Sequence, residues 1–333
     1  MLLLFSALPV HNEYIIKRID DILGAGVHWD FLLHGAESLG VAAGLIELLS
    51  DKETPVDFYE QLKAVSDREI KNAESMYGLY LDISSLLSKH EFDFIPLKGC
   101  DPRIAHGSRR KCNSMIDIDI LVRETDTDNI GLLLEENGYI YHGDMSGSHM
   151  NFFTDDERPR FIEIHRDLIN RRNAIHNKLF TPVLAGIWER SISVNGERLL
   201  SNEDLLSYIT VHAVKEYFHK PKWLSDIAWV IENYSDCFEP GRMALVLEEW
   251  GAAKALGFIA GGLDYCLHAD YLEKVLAYGA VKPDIFGVYL TRQLSCFNRL
   301  RKLRPLIFVA SADSSRRLWS VMAGSFKRLV QKM

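Results

Sequence analysis

Cysteine is scarce in this chain, with five in 333 residues, and no two of them form a C-x-x-C pair. An odd set with that spacing missing argues against a disulfide framework or a structural zinc site, and for reduced thiols in a cytoplasm. Long apolar runs are missing too. Nothing approaches the roughly 18 consecutive apolar residues of a membrane span. The opening "MLLLFSALPVHNEY" is apolar but has no basic flank, and its run is short for a secretory signal. Also absent are the phosphate loop G-x-x-x-x-G-K-[ST], the dinucleotide fingerprint G-x-G-x-x-G, the nucleophile elbow G-x-S-x-G and the zinc-helix motif H-E-x-x-H. One near match fails. "IHRDLINRRN" resembles a kinase catalytic loop, but Arg172 stands where the asparagine is required, and no Gly-rich loop or D-F-G accompanies it.

What the chain does have is an ordinary soluble composition, 47% hydrophobic and 25% charged, and enough length for two lobes or one large domain with a helical extension. The net charge of −8 conceals an asymmetry, because ten Lys/Arg and a single aspartate lie between Thr291 and Met333. A solvated helix face, or an intramolecular partner for the acidic body, accounts for such a tail. RNA, anionic lipid or an acidic peptide are the partners it would otherwise attract.

Apolar residues at helical spacing predict helices throughout residues 10–90. One covers "WDFLLHGAESLGVAAGLIELL" with Asp30 in its first turn, a second opens at Pro55, and a long one runs from about Asp67 to His90. The texture then changes. "FDFIPLKG" reads as a short strand ending at Lys98–Gly99, followed by a basic loop, "CDPRIAHGSRRKCNS", and a strand, "MIDIDILV". "TDTDNIGLLLEENG" reads as a helix with a Thr/Asp cap and a terminal Gly138, and "YIYHG", "SHMNFFT" and "RFIEIHRDL" as further strands. From about Asn202 the pattern is helical again, with breaks near Pro221, Pro240, Pro283 and Pro305. The expected architecture is α+β: an N-terminal helical region over 1–90, an α/β core with a small mixed sheet over 91–200, and a C-terminal helical region with the basic tail over 201–333.

The "MIDIDILV" strand raises the chemical question. Residues two apart on a strand share a face, so Asp117 and Asp119 project together while Ile116, Ile118 and Ile120 project the other way to pack on helices. Two carboxylates on one face repel unless a cation lies between them. Magnesium suits the pattern, since it prefers oxygen ligands and commonly uses one or two carboxylates plus substrate phosphates. A third acid on a neighbouring strand would complete a two-metal site, and Glu163 in "RFIEIHRDL" is placed for it, with His165 on the same face. The alternatives are an exposed strand edge, or ion pairs to Arg109, Arg110 or Lys111. His142, His149 and His165 read as separate structural or substrate-contacting residues rather than a transition-metal cluster. Cys100 is either a thiol near the phosphate turn or a small buried apolar residue.

In order, "FIPLKGCD", "MIDIDILV", "ENGYIYHG", "SHMNFF" and "FIEIHRDL" resemble a poorly characterised bacterial nucleotidyltransferase family of the polymerase-β superfamily. "VHWDFLLHGAESLGV" resembles its N-terminal helix, and "EDLLSYITVHAVKEYF" with "KWLSDIAWVI" its later helices. The resemblance implies a nucleotidyltransferase fold and transfer of NMP from an NTP to a hydroxyl acceptor with release of pyrophosphate. It assigns Asp117, Asp119 and Glu163 to two Mg²⁺ or Mn²⁺ ions and Lys98–Gly99 to the phosphate turn. Arg109, Arg110 and Ser114 would help to bind the nucleotide, and His149 and His165 would contact the acceptor or orient carboxylates. The acceptor would be a small molecule, a peptide or a protein. A toxin-like enzyme acting on tRNA, or a nucleotide-binding scaffold without turnover, are the alternatives. Two positions depart from the family pattern: Asn113 replaces an arginine, and Ile116 replaces a small residue before the first aspartate.

Overall fold

The computed structural model describes residues 2–8, 12–105, 115–144, 147–169, 180–216 and 220–279. The N-terminal flank contains α1 (Leu2–Phe5), α2 (Glu13–Gly24), α3 (Trp29–Leu39), α4 (Ala42–Leu49) and α5 (Val56–Lys89). The single helix expected over "WDFLLHGAESLGVAAGLIELL" is two, broken at Gly40, whose φ of 67° is the left-handed conformation that glycine adopts at a helix end. The reverse holds further on. The second helix and the long one are a single 34-residue α5, opened by Pro55 and uninterrupted at Asp67.

The middle of the chain forms β1 (Phe94–Pro96), a 3₁₀ turn over Lys98–Cys100, α6 (Pro102–Ala105), β2 (Asp117–Val122), α7 (Thr127–Glu136), β3 (Tyr139–Gly143), β4 (His149–Thr154) and β5 (Phe161–His165). Asp126 stands at the N-cap of α7 without a side-chain cap bond; instead the Thr127 hydroxyl donates back to the Glu124 carbonyl. The strands make one sheet in the order β1-β2-β5-β4-β3. β2 and β5 run parallel, and the other pairs are antiparallel. Next come α8 (Leu184–Arg190) and a hairpin of β6 (Ile192–Val194) and β7 (Glu197–Leu199). Its Asn195–Gly196 turn has positive φ at both residues, as a type I′ turn requires. The C-terminal flank holds α9 (Asn202–Lys215), α10 (Pro221–Tyr234), α11 (Pro240–Trp250), α12 (Ala253–Leu267) and α13 (Tyr271–Leu276). Pro221 and Pro240 stand at helix starts, where a missing N–H costs nothing.

Alternation along the strands divides the sheet into two unlike faces. Ile118, Ile120, Ile162, Ile164 and Phe152 point to the back, fully buried against Met76, Tyr80, Ile83 and Leu134 of α5 and α7. Each such side chain contributes roughly 1.5–3 kcal/mol, which offsets the polar groups held on the front. That front face lies towards the C-terminal helices, whose core is continuous with the N-terminal flank through residues such as Phe5, Leu49, Leu206, Ile227 and Trp250. Arg190 ties three helices of this lobe together. It makes paired hydrogen bonds with Asp204 of α9 and Glu249 of α11, while the Trp250 indole donates to Asp204 at 3.0 Å. This fixes α9 against α8 and α11. Among the described residues no helix is long and apolar enough to cross a membrane.

Candidate active site

The register of the sheet assembles the front-face groups. Asp119 on β2 pairs with Glu163 on β5, which in turn pairs with Asn151 on β4, and His165 pairs with His149. Three of the five strands therefore place acids, imidazoles and an amide side by side. Ile116 precedes the strand and is 51% exposed, so it lines the cleft rather than packing on helices as its alternation predicts.

Asp119 is 1% exposed and already compensated. Its Oδ1 accepts from Lys98 Nζ at 2.7 Å and from His165 Nε2 at 2.9 Å. His165 Nε2 also lies 3.1 Å from Glu163 Oε2, and because both neighbours are carboxylate oxygens it must carry a proton. Burial by itself would lower the His165 pKa, but the hydrogen bonds to Asp119 and Glu163 raise it. Burial opposes the charge of Lys98 in the same way, yet Asp119 holds the ammonium well above its ordinary range. For Glu163, burial pushes upward, and the hydrogen bond and charge of His165, with Lys98 and His149 behind, pull the pKa down to about 2. Glu163 is thus ionised and a weak base. Lys98 reaches Asp119 from a backbone with φ of 50°, a left-handed conformation unusual for a side-chain-bearing residue and common where a turn is shaped for a task.

Asp117, two residues away, is in a different state. It is half-buried, its carboxylate makes no hydrogen bond or ion pair among the described residues, and it faces a cavity of 360 Å³ with Glu163 and Lys98. The far wall of that cavity comes from the C-terminal helices. Tyr208, His212 and Lys215 lie at i, i+4 and i+7 on α9, and Lys220, Lys222 and Trp223 surround the start of α10. Four lysines therefore line one cleft. Burial lowers the Lys215 pKa to about 8, and the charge of Lys98 pushes the same way. Burial and the cations Lys98, Lys215 and Lys222 hold His212 well below its ordinary value, so it is neutral. A smaller recess beside the cleft is lined by Tyr77, Gly99, Met115, Trp223 and Asp226, and burial raises the Asp226 carboxyl to about 6.

Of the residues singled out in the sequence, Lys98, Gly99, Asp117, Asp119, His149, Glu163 and His165 come together around this cleft. Arg109, Arg110 and Ser114 lie outside the described residues, as does the basic tail. Sequence reasoning missed Lys215, Lys220 and Lys222. Their signal was present in the stripe Tyr208–His212–Lys215 and in "KPKW", but nothing in a single helix says which surface its stripe will meet. His142 packs edge-on against Phe153 and stays apart from the other histidines. Cys100 is 1% exposed, and burial followed by the charge of Asp119 raises its thiol well above its ordinary range, so it packs as a small apolar group and is not a reactive one.

The donor set is compatible with a hard divalent ion. Glu163 offers ionised carboxylate oxygens to the cavity and Asp117 faces it too, while Lys98 and His165 supply positive charge to Asp119.

Over residues 25–267 the chain matches the family described as uncharacterised nucleotidyltransferase, and it belongs to that family. The small mixed sheet with helices on both flanks is the nucleotidyltransferase fold expected from the sequence. Among proteins of curated function, none matches the chain. Two solved structures are distantly similar. One, from H. pylori, is described as a proposed nucleotidyltransferase; it is 13% identical with a TM-score of 0.33, over 68% of this chain and 96% of its own. The other, an antigenic nucleotidyltransferase-like protein from Paracoccidioides brasiliensis, is 13% identical with a TM-score of 0.36, over 67% and 97%. At that distance neither carries weight for the chemistry.

Proposed function

We propose that the protein is a metal-dependent nucleotidyltransferase that transfers NMP from an NTP to a hydroxyl acceptor and releases pyrophosphate. The observation that carries this reading is the opposition of two walls in one cavity: Asp117 and Glu163 on the sheet with Lys98 beside them, and Lys215, Lys220 and Lys222 on the C-terminal helices across from them. Burial first, and then the charge of Lys98, lower the Lys215 pKa, so its ammonium lacks a full counter-charge in the free protein. A polyphosphate would supply several negative charges between the lysines. The start of α10, the positive end of its helix dipole, lies beside Lys220 and Lys222 and adds to the attraction for anions.

Transfer of a phosphoryl-type group needs positioning and charge neutralisation more than covalent help. Lys215, Lys220 and Lys222 would hold the triphosphate, and Lys98 would fix Asp119. Asp117, Asp119 and Glu163 would hold the divalent ions. Bound there, Mg²⁺ or Mn²⁺ would neutralise the phosphates and acidify the acceptor hydroxyl. The acceptor is a small molecule, a peptide or a protein hydroxyl. An RNA end is the choice that the basic tail would favour. A nucleotide-binding scaffold without turnover is the second reading, supported by the internal neutralisation of Asp119 by Lys98 and His165.

The test is to incubate the protein with each common NTP, labelled at the α-phosphate, together with fractionated small molecules, protein and RNA. One NTP should release pyrophosphate and leave label in one fraction, in the presence of a divalent ion and not with EDTA. Metal-dependent binding without label transfer or pyrophosphate would instead select the scaffold.

Lys215 supplies a pH signature. With a pKa of about 8 in the free protein it is partly neutral at pH 8.5, and a bound triphosphate raises its pKa. NTP binding at that pH should take up protons, seen as a dependence of the calorimetric enthalpy on the buffer's ionisation heat. Lys215→Gln should remove most of the uptake and weaken binding at pH 7 by roughly tenfold, one charge-assisted contact. Identical proton uptake in the variant would exclude Lys215 from the phosphate site.

A further inference from the structure

One cluster on the front of the sheet is not of the all-oxygen type. His149, Glu163 and His165 each offer a ligand atom within 4.8 Å of the other two, a group of three that could hold a metal among the described residues. Individual separations are 3.1 Å from His165 Nε2 to Glu163 Oε2 and 3.7 Å from His149 Nε2 to Glu163 Oε1, and Asp119 Oδ1 lies 2.9 Å from the same His165 nitrogen. Ligands about 2.1 Å from a tetrahedral ion are about 3.4 Å from one another. The observed separations lie on both sides of that edge length, so small shifts of side chains would bring them onto one ion.

A second observation points to the same place. Asn151 is 1% exposed, and neither its amide oxygen nor its amide nitrogen has a hydrogen-bond partner among the described residues. Leaving both ends of a buried amide unpaired is costly. The residue is opposite Glu163 in the ladder and shares a strand face with His149, while its neighbours Met150 and Phe152 point into the apolar core. Its amide is therefore on the front of the sheet beside the two imidazoles and the carboxylate. A bound ion with its water would give Asn151 the partner it lacks.

We propose that His149, Glu163 and His165, supported by Asn151, form a binding site for a first-row transition-metal dication, so that one of the metals at this cleft is of the Mn²⁺ or Zn²⁺ class rather than Mg²⁺. The chemistry is that of the donors: an ion bound there would replace the proton that His165 Nε2 shares with Asp119 and Glu163, and that proton would leave to solvent. Imidazole nitrogen binds transition ions far better than it binds magnesium, which keeps to oxygen. The site is defined by metal binding alone and goes beyond the proposed nucleotidyl transfer, so a chain that never turns over an NTP would still show it.

The experiment is equilibrium binding of Zn²⁺, Mn²⁺ and Mg²⁺ to the full chain without nucleotide, with nitrogen couplings read by pulsed EPR on the Mn²⁺ form. Zn²⁺ and Mn²⁺ should bind at least tenfold tighter than Mg²⁺, and the Mn²⁺ spectrum should carry imidazole ¹⁴N couplings. His149→Ala should lose at least tenfold in Zn²⁺ and Mn²⁺ affinity and part of the nitrogen coupling, since even a partner behind the ligands is worth about 10–100-fold. Mg²⁺ binding as tightly as Mn²⁺ and Zn²⁺, or an Mn²⁺ spectrum free of imidazole nitrogen, would overturn the proposal. The spectrum is read on the wild type, so it decides the matter even if His149→Ala folds poorly.

Discussion

Asp119→Ala is expected to destabilise the protein by about 3–5 kcal/mol in the absence of any metal, because it leaves two buried partners, Lys98 and His165, without their shared counter-charge. Urea unfolding with EDTA present would show it as a lower midpoint with an unchanged slope. Asp119→Asn, which keeps an acceptor oxygen but loses the charge, should fall between. The double change of Lys98→Met with Asp119→Leu should cost less than the sum of the single changes, since it strands only His165. A loss below about 1 kcal/mol for Asp119→Ala would place the pair in solvent rather than in the sheet. The same network sets a pH signature in the wild type. Glu163, held down to about 2, stabilises above its unfolded pKa near 4.5, and that contribution drains away as the pH falls toward 2. His165, whose pKa is raised, stabilises below its ordinary 6.5, and its contribution is lost as the pH rises through its folded value.

Asp117→Asn is expected to do the opposite: little to stability and much to chemistry. Asp117 is half-buried and faces the cavity with no ion pair among the described residues, so the change should stay within about 0.5 kcal/mol. Turnover of the preferred NTP should fall by roughly 10²–10³-fold, the usual loss when one group aimed at developing charge is removed. The two aspartates are separated by one isoleucine, yet one is held by the fold and the other is open to a ligand. Full activity in Asp117→Asn would remove it from the site; a large loss of stability would make it, like Asp119, a part of the buried charge network.

The alternation of β2 was legible from residues alone. Apolar Ile118 and Ile120 against Asp117 and Asp119 fixes two faces whatever the neighbours are, and the same logic placed Glu163 with His165 on β5. Which strand lies next to which was not legible, since the parallel pairing of β2 with β5 joins residues more than forty positions apart. Strand alternation offered Glu163 as a third acid for the site and the resemblance to a family matched it there, but the register that sets it opposite Asp119 could not be read from either strand. Helix boundaries depended on single residues. Gly40 interrupts an apolar run that reads as one helix, while α5 passes through the Asp67 region without a break because no glycine or proline stands there. The lysine wall shows the limit most clearly. Periodicity tells that Tyr208, His212 and Lys215 share a side of α9, but their meeting with Asp117 depends on how the helices that Arg190, Asp204 and Glu249 tie together pack against the sheet. That packing is a tertiary fact.

The central question is whether this cleft holds a nucleoside triphosphate with a divalent ion. Calorimetric titration of each of the four common NTPs, with Mg²⁺ or Mn²⁺ and again with EDTA, into the wild type and Asp117→Ala measures that directly. The expected result is binding of one NTP that requires the divalent ion and is lost in a still-folded Asp117→Ala. Binding that is indifferent to both EDTA and Asp117, or none of the four NTPs binding to a folded wild type, would contradict it.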